Sequence, residues 1–448
     1  MKYPHENGRQ GATEGKPRYQ PDSLLLVTVA ALGLAVRTVV VPNIVAVVVG
    51  ATALIAAAVV HMRKPSRGEP RGRPWEAMMA GVVAIYGLIA FLAPTTSLSP
   101  TSSAASPLIG LFWAALAAIT YLVRRRSPRR VAVAITALTL AATILFGTAA
   151  IAEVRGVGFD VLFLHTEAAQ ALANGQNPYT DAVAVPNGAP TAEEGDLIEG
   201  YVYPPVTLIA YASGFWALDD PRYVSLAAWT VVLGLFGLTS LSPSQGRNLY
   251  VMLLLAALPG IQLVLQAAWT EPLSLAFLVA AFFYWHRPKT SGLALGLALA
   301  SKQYFIVSWP LLLLHRDGGW RRRTTIAVAV AGLTLAPALL WDVGAFWSAA
   351  IGFHAGTPPR LDSSNLVGLV GLFGVTWDPP FLLALGAPML IAGLFGWRSR
   401  TRIGFALTLS VALTTSFLLS TQAFANYWFL ILGLGALVLT DLSQSDEV

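Results

Sequence analysis

Long apolar runs separated by shorter polar segments make up most of this 448-residue chain. Many runs reach roughly 17–25 residues, the length that a helix needs to cross a bilayer. The strict alternation typical of membrane β-barrels is absent, and only helices or closed barrels satisfy the backbone in lipid. The pattern therefore predicts an all-α, polytopic membrane protein with about 12 membrane-crossing helices.

Composition agrees with this pattern. Hydrophobic residues make up 55% of the chain and charged residues 12%, whereas soluble domains carry about 25% charged residues. The net charge is +6, but the basic residues cluster in short loops, which indicates membrane orientation rather than nucleic-acid binding. The chain contains no cysteine, so disulfides and cysteine-ligated metals are excluded.

Four basic loops predict the orientation, because positively charged loops stay on the cytoplasmic side. Both termini are then expected inside, and the strongly acidic loop after residue 152 is expected outside. The loops predicted to be cytoplasmic are residues 63–73, 124–130, 321–323 and 398–402; those predicted to lie outside are residues 94–107, 153–202, 342–365 and 421–426.

The same pattern predicts the organisation of the chain. Four helices in residues 22–130 precede the membrane core, and the first two (about 22–36 and 43–60) form a hairpin that turns near Pro42. The polar head does not match a cleavable signal peptide. The expected divisions are a disordered cytoplasmic tail at residues 1–21, the N-terminal addition at 22–130, the membrane core at 131–441 with its large outer loop at 152–202, and a second tail at 442–448.

The large outer loop has internal signals of its own. Residues 163–173 fit a short amphipathic helix, and Asn174 with Gly175 can end it, because both tolerate the left-handed conformation. Residues 180–200 are acidic and broken by glycine and proline, which is typical of a flexible lid.

Two interpretations remain open around Lys302. In one, residues 292–314 form a single membrane-crossing helix with Lys302 near its middle, which simple alternation of crossings favours. In the other, residues 292–301 and 303–314 are half-helices that return to the cytoplasm, with Lys302 at the turn. The nearby Arg287 and Lys289 favour the second, as does the cost of a mid-membrane lysine.

Asp160 stands at the head of the acidic loop, just after an apolar run. A carboxylate near a low-dielectric interface is a good proton acceptor, which fits a general base. Aspartate is also a favoured N-cap, so the start of a helix explains the spacing equally well. A metal site at Asp160, His165 and Glu167 is not favoured, because this spacing matches no recognised ligand pattern. No metal and no cofactor are therefore expected.

Three motifs together resemble the first-loop signature of the GT-C glycosyltransferases. They are Gly158-Phe159-Asp160, Asn177-Pro178-Tyr179 and Tyr201-Val202-Tyr203-Pro204-Pro205. The spacing is most similar to glycosyltransferase family 87, the polyprenol-phosphate-mannose-dependent mannosyltransferases. Residues 292–303 and 422–427 add softer similarity, so that the resemblance covers roughly residues 131–440. The chain departs from the pattern at Trp269-Thr270-Glu271-Pro272, where many relatives carry a Gln/Asn pair, and at Val161, where some carry a second acid.

The resemblance implies a GT-C fold and inverting sugar transfer from a polyprenyl-phosphate donor, without a nucleotide sugar or an obligatory metal. It places the active site on the extracytoplasmic side of a bacterial-type plasma membrane. The expected partners are membrane lipids, the polyprenyl-phosphate donor, and a glycolipid or polysaccharide acceptor.

Each candidate residue has a chemical role under this resemblance. Asp160 is the base, and a cation must stabilise the leaving phosphate. Lys302 ranks first, because charge inside a membrane is costly and usually functional, although a snorkelling lysine fits as well. His354 and Arg360 rank next. Residues expected to contact sugar or acceptor, or to shape the cleft, are His165, Glu167, Tyr179, Tyr201, Tyr203, Gln422 and Asn426; Glu271 is a weaker candidate.

Two other functions remain open at this point. A transporter or flippase of a polar or lipid-linked solute explains an intramembrane lysine and broken helices, but not the long acidic loop with its proline-tyrosine motifs. A degenerate enzyme retained as a scaffold is the third interpretation.

Overall fold

The computed structural model describes residues 26–32, 44–63, 73–92, 100–123, 128–154, 160–180, 182–184, 197–241 and 247–440. The predicted tails at 1–21 and 442–448, the turn near Pro42 and most of the predicted lid lie outside these residues.

Helices form nearly all of the described structure. The first helical segment, α1, covers residues 26–32. The others are α2 Ile44–Arg63, α3 Arg73–Leu92, α4 Pro100–Val123, α5 Pro128–Glu153, α6 Asp160–Ala173, α7 Pro205–Leu218, α8 Arg222–Thr239, α9 Arg247–Ala256, α10 Ile261–Gln266, α11 Glu271–Phe283, α12 Pro288–Leu299, α13 Trp309–Leu314, α14 Trp320–Trp341, α15 Val343–Trp347, α16 Phe353–Gly356, α17 Leu366–Gly371, α18 Phe381–Arg398, α19 Arg402–Leu419 and α20 Ala425–Leu439. A 3-10 turn, Gln303–Ser308, precedes α13, and a π turn, Ser348–Gly352, precedes α16.

Five of the described helices, α5, α8, α14, α18 and α19, are long and apolar enough to cross a membrane. The described structure is therefore that of an all-α membrane protein, as the sequence predicts. The one addition is a small antiparallel ribbon in the outer loop, where β1 (Ala182–Ala184) pairs with β2 (Leu197–Glu199). Each strand has only three residues, too few to show a period of two in the sequence, so the ribbon was not predicted.

The N-terminal helices pack on the membrane core. The hydroxyl of Tyr86 on α3 donates to the carbonyl of Val29 on α1 at 2.8 Å, and Gly50 on α2 lies against Leu32. Helix α2 packs against α19, whereas α3 and α4 pack against α9. Helix α9 is almost completely enclosed, with every residue from Leu249 to Leu255 fully buried.

Asp317 ties together the ends of α11, α13 and α14. The indole nitrogen of Trp285, after α11, donates to Asp317 Oδ2 at 2.6 Å, and Arg323 Nη1 donates to both oxygens at 3.0 and 2.8 Å. The Arg323 guanidinium lies 3.7 Å from the centre of the Trp285 ring. Burial alone raises the pKa of Asp317, but the nearby His315 ring, 3.6 Å away, and the charge and hydrogen bonds of Arg323 outweigh this and hold the pKa well below its ordinary value. We call this end of the bundle the basic end, because α12, α14 and α19 all begin there with arginine or lysine nearby.

The segment from α12 to α13 is a broken hairpin that leaves the basic end and returns to it. Helix α12 runs alongside α14, with Gly292 against Arg323 and Gly296 against Ala327. The chain then turns, since Lys302 is extended (φ −147°, ψ 138°). On the return, the carbonyl of Leu312 accepts a hydrogen bond from Thr324, one residue from Arg323, at 3.0 Å.

The broken hairpin decides between the two interpretations of residues 292–314. The half-helix interpretation is correct, and Lys302 lies at the apex. Proline at the first turn of a half-helix suits this architecture, because it lacks the donor that a helix start leaves unpaired; Pro288 begins α12 and Pro310 lies at the start of α13.

Close packing of α12 on α14 yields a testable stability difference. A methyl group at Gly296 would lie 2.6 Å from the Ala327 carbonyl oxygen and 2.7 Å from Val330 Cβ, whereas Gly332 on α14 has open space around it. We expect Gly296→Ala to lower the free energy of unfolding by about 1–3 kcal/mol through overpacking. The control Gly332→Ala should leave it unchanged or raise it by about 1 kcal/mol, since alanine is the better helix former. Thermal unfolding of the two variants in detergent micelles measures the difference, and equal melting temperatures would contradict the close packing.

Candidate active site

Asp160 is the first residue of α6, at the end of the bundle opposite the basic end. The sequence predicted that this helix begins at Phe163, but it begins three residues earlier, at Asp160. The Asp160 Oδ1 atom accepts a hydrogen bond from the Val161 amide at 2.8 Å. The predicted stop holds, since α6 ends at Ala173 and Gly175 adopts φ +73°. Asp160 is half-buried, as is Glu167 two turns further along.

His165 lies on the buried face of α6, inside a cluster of tyrosine rings. Its ring stacks on Tyr211 with centroids 3.9 Å apart, and its Nδ1 is 2.8 Å from the hydroxyl of Tyr201. Burial, with a smaller contribution from the positive charge of Lys302, lowers the pKa of His165 to about 3. The imidazole is therefore neutral and packs inside the outer loop. Of the two roles expected from the sequence, contact with sugar or acceptor and shaping of the cleft, this packing fits the second.

The two proline-tyrosine motifs of the outer loop meet in space. The Tyr179 hydroxyl donates to the Tyr203 carbonyl at 3.0 Å, and the Tyr201 amide donates to the Pro178 carbonyl at 2.8 Å. Gly200 adopts φ +76° and packs directly on the Tyr179 carbonyl, where a side chain would collide. These contacts close the outer loop, and all three tyrosines, 179, 201 and 203, are buried.

Lys302, at the hairpin apex, forms a buried ion pair with Glu271, the first residue of α11. Lys302 Nζ is 3.1 Å from Glu271 Oε1, and the two side chains are 4% and 0% exposed. The Asn426 amide, at the start of α20, donates to the same oxygen at 3.1 Å. The ammonium also lies 4.3 Å from the centre of the Tyr203 ring, a cation–π contact.

Tyr203 links this ion pair to Asp160. Burial first, and then the negative charges of Asp160 and Glu271, raise the pKa of Tyr203 well above its ordinary value. The same two carboxylates act electrostatically on Tyr427 of α20. The half-buried Asp160, the buried Glu271–Lys302 pair and the two tyrosines thus lie in one electrostatically coupled volume at the end of the bundle opposite the basic end.

A cavity of about 620 Å³ adjoins this volume. Its polar wall contains two of the predicted site residues, His354 and Gln422, together with Gln303, Tyr304 and Tyr427. His354 Nε2 donates to the Val202 carbonyl at 3.3 Å. Burial, followed by the positive charge of Lys302, lowers the pKa of His354 to about 4. The rest of the wall is largely apolar and proline-rich.

Neither Asp160 nor Lys302 is among the described residues that line the cavity. The connection runs through Tyr304, whose ring lines the cavity and has its centre 5.7 Å from Lys302 Nζ. Tyr304 and Tyr427 are half-buried and their ring centroids are 5.9 Å apart. Tyr304, with Tyr427 beside it, therefore separates the cavity from the Lys302 ammonium.

Arg360 is not among the residues that line the cavity. Its guanidinium donates to both oxygens of Asp362, at 2.9 and 2.8 Å, and lies 5.4 Å from the centre of the Phe424 ring. Its backbone amide donates to the Thr421 carbonyl at 3.0 Å. The structure thus places Arg360 as a surface tie between the loop before α17 and the loop before α20.

Tyr304 was not predicted from the sequence as a site residue, and Glu271 was only a weak candidate. Glu271 carried the clearest signal, because a carboxylate inside apolar sequence is costly in a membrane. Its position before Pro272 suggested only the start of a helix. Its partner Lys302 is 31 positions away, so their pairing could not be inferred from spacing.

Comparison with known proteins finds no matching family model, no matching curated protein and no matching solved structure. Across the described ranges, no three histidine or acidic side chains come together as a metal site.

The buried, neutral His165 predicts a pH dependence of stability. The unfolded chain binds a proton here below a pKa of about 6.5, whereas the folded protein binds it only below about 3. Stability is thus complete above pH 6.5 and falls as the pH drops, by roughly 1.4 kcal/mol per unit from this residue. Thermal unfolding in detergent between pH 4 and 6 should show a shallower slope, by about one proton, for His165→Asn than for the wild-type protein. His354 contributes similarly in both proteins. Identical slopes would contradict the neutral, enclosed imidazole.

Proposed function

We propose that this chain is an integral membrane glycosyltransferase of the GT-C type that transfers a sugar, mannose in the first instance, from a polyprenyl-phosphate donor. The observation that carries the proposal is the arrangement of Asp160 and Lys302 around Tyr203, beside a largely apolar cavity. A base, a cation and a lipid-accommodating space are what inverting transfer from a lipid phosphate needs.

The distribution of arginines supports a site on the extracytoplasmic side. Arg287, Arg323 and Arg402 lie at the basic end, which the positive-inside rule assigns to the cytoplasm. Asp160, the cavity and α15–α17 lie at the other end. We propose twelve crossings, four from α1–α4 and eight in the core, with the hairpin α12–α13 entering and leaving on the cytoplasmic side. The core crossings are α5, α8, α9 with α10, α11, α14, α18, α19 and α20.

The reaction follows from these groups. Asp160 accepts the proton of an acceptor hydroxyl, and the hydroxyl oxygen attacks the anomeric carbon from the face opposite the phosphate. The bond between that carbon and the phosphate oxygen breaks, and the lipid phosphate leaves with the bonding electrons. Lys302 stabilises the charge that develops on the phosphate.

The remaining residues fit supporting roles. His354 and Gln422 face the cavity and can contact donor or acceptor hydroxyls. Tyr179, Tyr201 and His165 hold the outer loop in shape. Asn426 orients Glu271. The acceptor in this proposal is a glycolipid or polysaccharide of the cell envelope.

Replacing the proposed base separates chemistry from binding. Asp160→Asn keeps the size of the side chain but removes its basicity, so we expect transfer to fall by roughly 10²- to 10⁴-fold. The control Asp219→Asn changes an exposed aspartate in the left-handed conformation, which asparagine also tolerates. Transfer is measured with proteoliposomes, labelled polyprenyl-phosphate mannose and lipid acceptors.

The melting temperature and donor affinity of Asp160→Asn should remain those of the wild-type protein. Retained transfer by this variant would rule out Asp160 as the base.

A second candidate function is a transporter or flippase of an anionic or lipid-linked solute. The broken hairpin with a buried ion pair at its apex favours it, because discontinuous helices form the binding sites of many transporters. The proteoliposome assay separates the two functions. A new labelled glycolipid supports the transferase, whereas movement of unchanged donor across the bilayer supports the carrier.

A further inference from the structure

The two oxygens of the Glu271 carboxylate have unequal surroundings. Oε1 receives both the Lys302 ammonium and the Asn426 amide, each at 3.1 Å. Oε2 is fully buried and accepts no hydrogen bond of good geometry among the described residues; the buried Tyr304 hydroxyl is the polar side-chain group that interacts with this carboxylate from the cavity side. Buried polar atoms are almost always hydrogen-bonded in native proteins, and an unpaired one costs about 1–3 kcal/mol.

Lys302 has more hydrogen-bond donors than acceptors around it among the described residues. An ammonium group carries three N–H donors, and Glu271 is its hydrogen-bonding partner among the described residues. Its other neighbours are the rings of Tyr203 and Tyr304, which interact with the charge but do not satisfy the donors as oxygen atoms would. Within the described structure, the ion pair therefore has an acceptor atom, covered only by the Tyr304 hydroxyl, beside donors of Lys302 that no oxygen satisfies.

Two further unpaired groups lie next to the pair in sequence. The Thr270 hydroxyl is buried, has no hydrogen-bond partner among the residues that the structure describes, and immediately precedes Glu271. The side-chain oxygen of Gln303, immediately after Lys302, is also buried and unpaired, and Gln303 lines the cavity. Unpaired groups on both partners, one of them at the cavity wall, indicate a polar subsite that a ligand completes.

We propose that Glu271 is a specificity-determining residue whose Oε2 accepts a hydrogen bond from a sugar hydroxyl while Lys302 binds the phosphate of the same molecule. This deepens the proposed function and rests on it for the identity of the ligand. Because Oε2 belongs to the same carboxylate as Oε1, which lies 3.1 Å from Lys302 Nζ, the two ligand contacts are close together. The hydroxyl therefore belongs to the carbon next to the one that carries the phosphate.

The ligand reaches this subsite from the cavity. Tyr304, with Tyr427 beside it, lies between the cavity and the ion pair, and both tyrosines are only half-buried. Their side chains must move aside for the phosphate to meet Lys302. The contact with Glu271 holds the ammonium in place until then.

A binding experiment tests the subsite without relying on turnover. Affinities of a short-chain prenyl-phosphate mannose and of its 2-deoxy analogue are measured for the wild-type protein and for Glu271→Gln in nanodiscs. A hydrogen bond to a charged acceptor is worth roughly 10- to 100-fold in affinity. We expect the wild-type protein to prefer the mannose compound by that factor. Glu271→Gln should reduce the preference to a few-fold or less, and the control Asp219→Asn should retain it in full.

The possible outcomes distinguish this inference from the proposed function. An equal preference in the wild-type protein and Glu271→Gln would overturn the role of Glu271, even if sugar transfer is detected. Absence of binding by either compound to the wild-type protein would overturn both proposals. Transfer without any 2-hydroxyl preference would overturn the subsite alone.

Glu271→Gln leaves Lys302 without a counter-ion, which can destabilise the fold by several kcal/mol. If its melting temperature shows that it does not fold, the double variant Glu271→Gln/Lys302→Gln replaces it, because it removes both charges and keeps similar shapes. Both compounds should then bind more weakly, and the preference between them should disappear. A preserved preference in the double variant would contradict the inference.

Discussion

The buried ion pair between Glu271 and Lys302 is the interaction on which the geometry of the candidate site depends. It joins the start of α11 to the apex of the broken hairpin, and Asn426 extends it to α20. Breaking a buried pair by removing one partner costs about 3–5 kcal/mol. Because Asp317 ties the base of the same hairpin to Trp285 and Arg323, both ends of the hairpin are held, and Lys302 stays beside Tyr203.

The sequence predicted the features that depend on local chemistry. Apolar runs predicted the helices, and Asn174-Gly175 predicted the end of α6 at Ala173. The course of residues 292–314 stayed open, because the alternation of crossings and the charge of the loops favoured different answers. Long-range contacts, such as Thr324 with Leu312 and Gly292 with Arg323, decide that question. Contacts of this kind leave no mark in the spacing of residue types.

The candidate site was predictable from the sequence to about the same extent as the fold. Asp160 and the two proline-tyrosine motifs could be selected from sequence, and the structure brings Tyr179 and Tyr203 together. The surroundings of each charge could not be predicted. His165 belongs to a polar loop, yet tyrosine rings enclose it. Arg360 was expected at the site, but it donates hydrogen bonds to Asp362, two residues away. Which polar group has a partner is decided by packing, and packing is not local.

The cavity is bordered by apolar side chains that stay exposed, among them Ile306, Trp347 and Phe381. In a bilayer such side chains can face acyl chains. A lipid-linked donor of the kind proposed above would then reach the cavity by lateral diffusion, without leaving the hydrocarbon. Its supply is set by its mole fraction in the leaflet, not by its concentration in the surrounding water, and dilution of the membrane with other lipids slows its capture even when the total amount is constant.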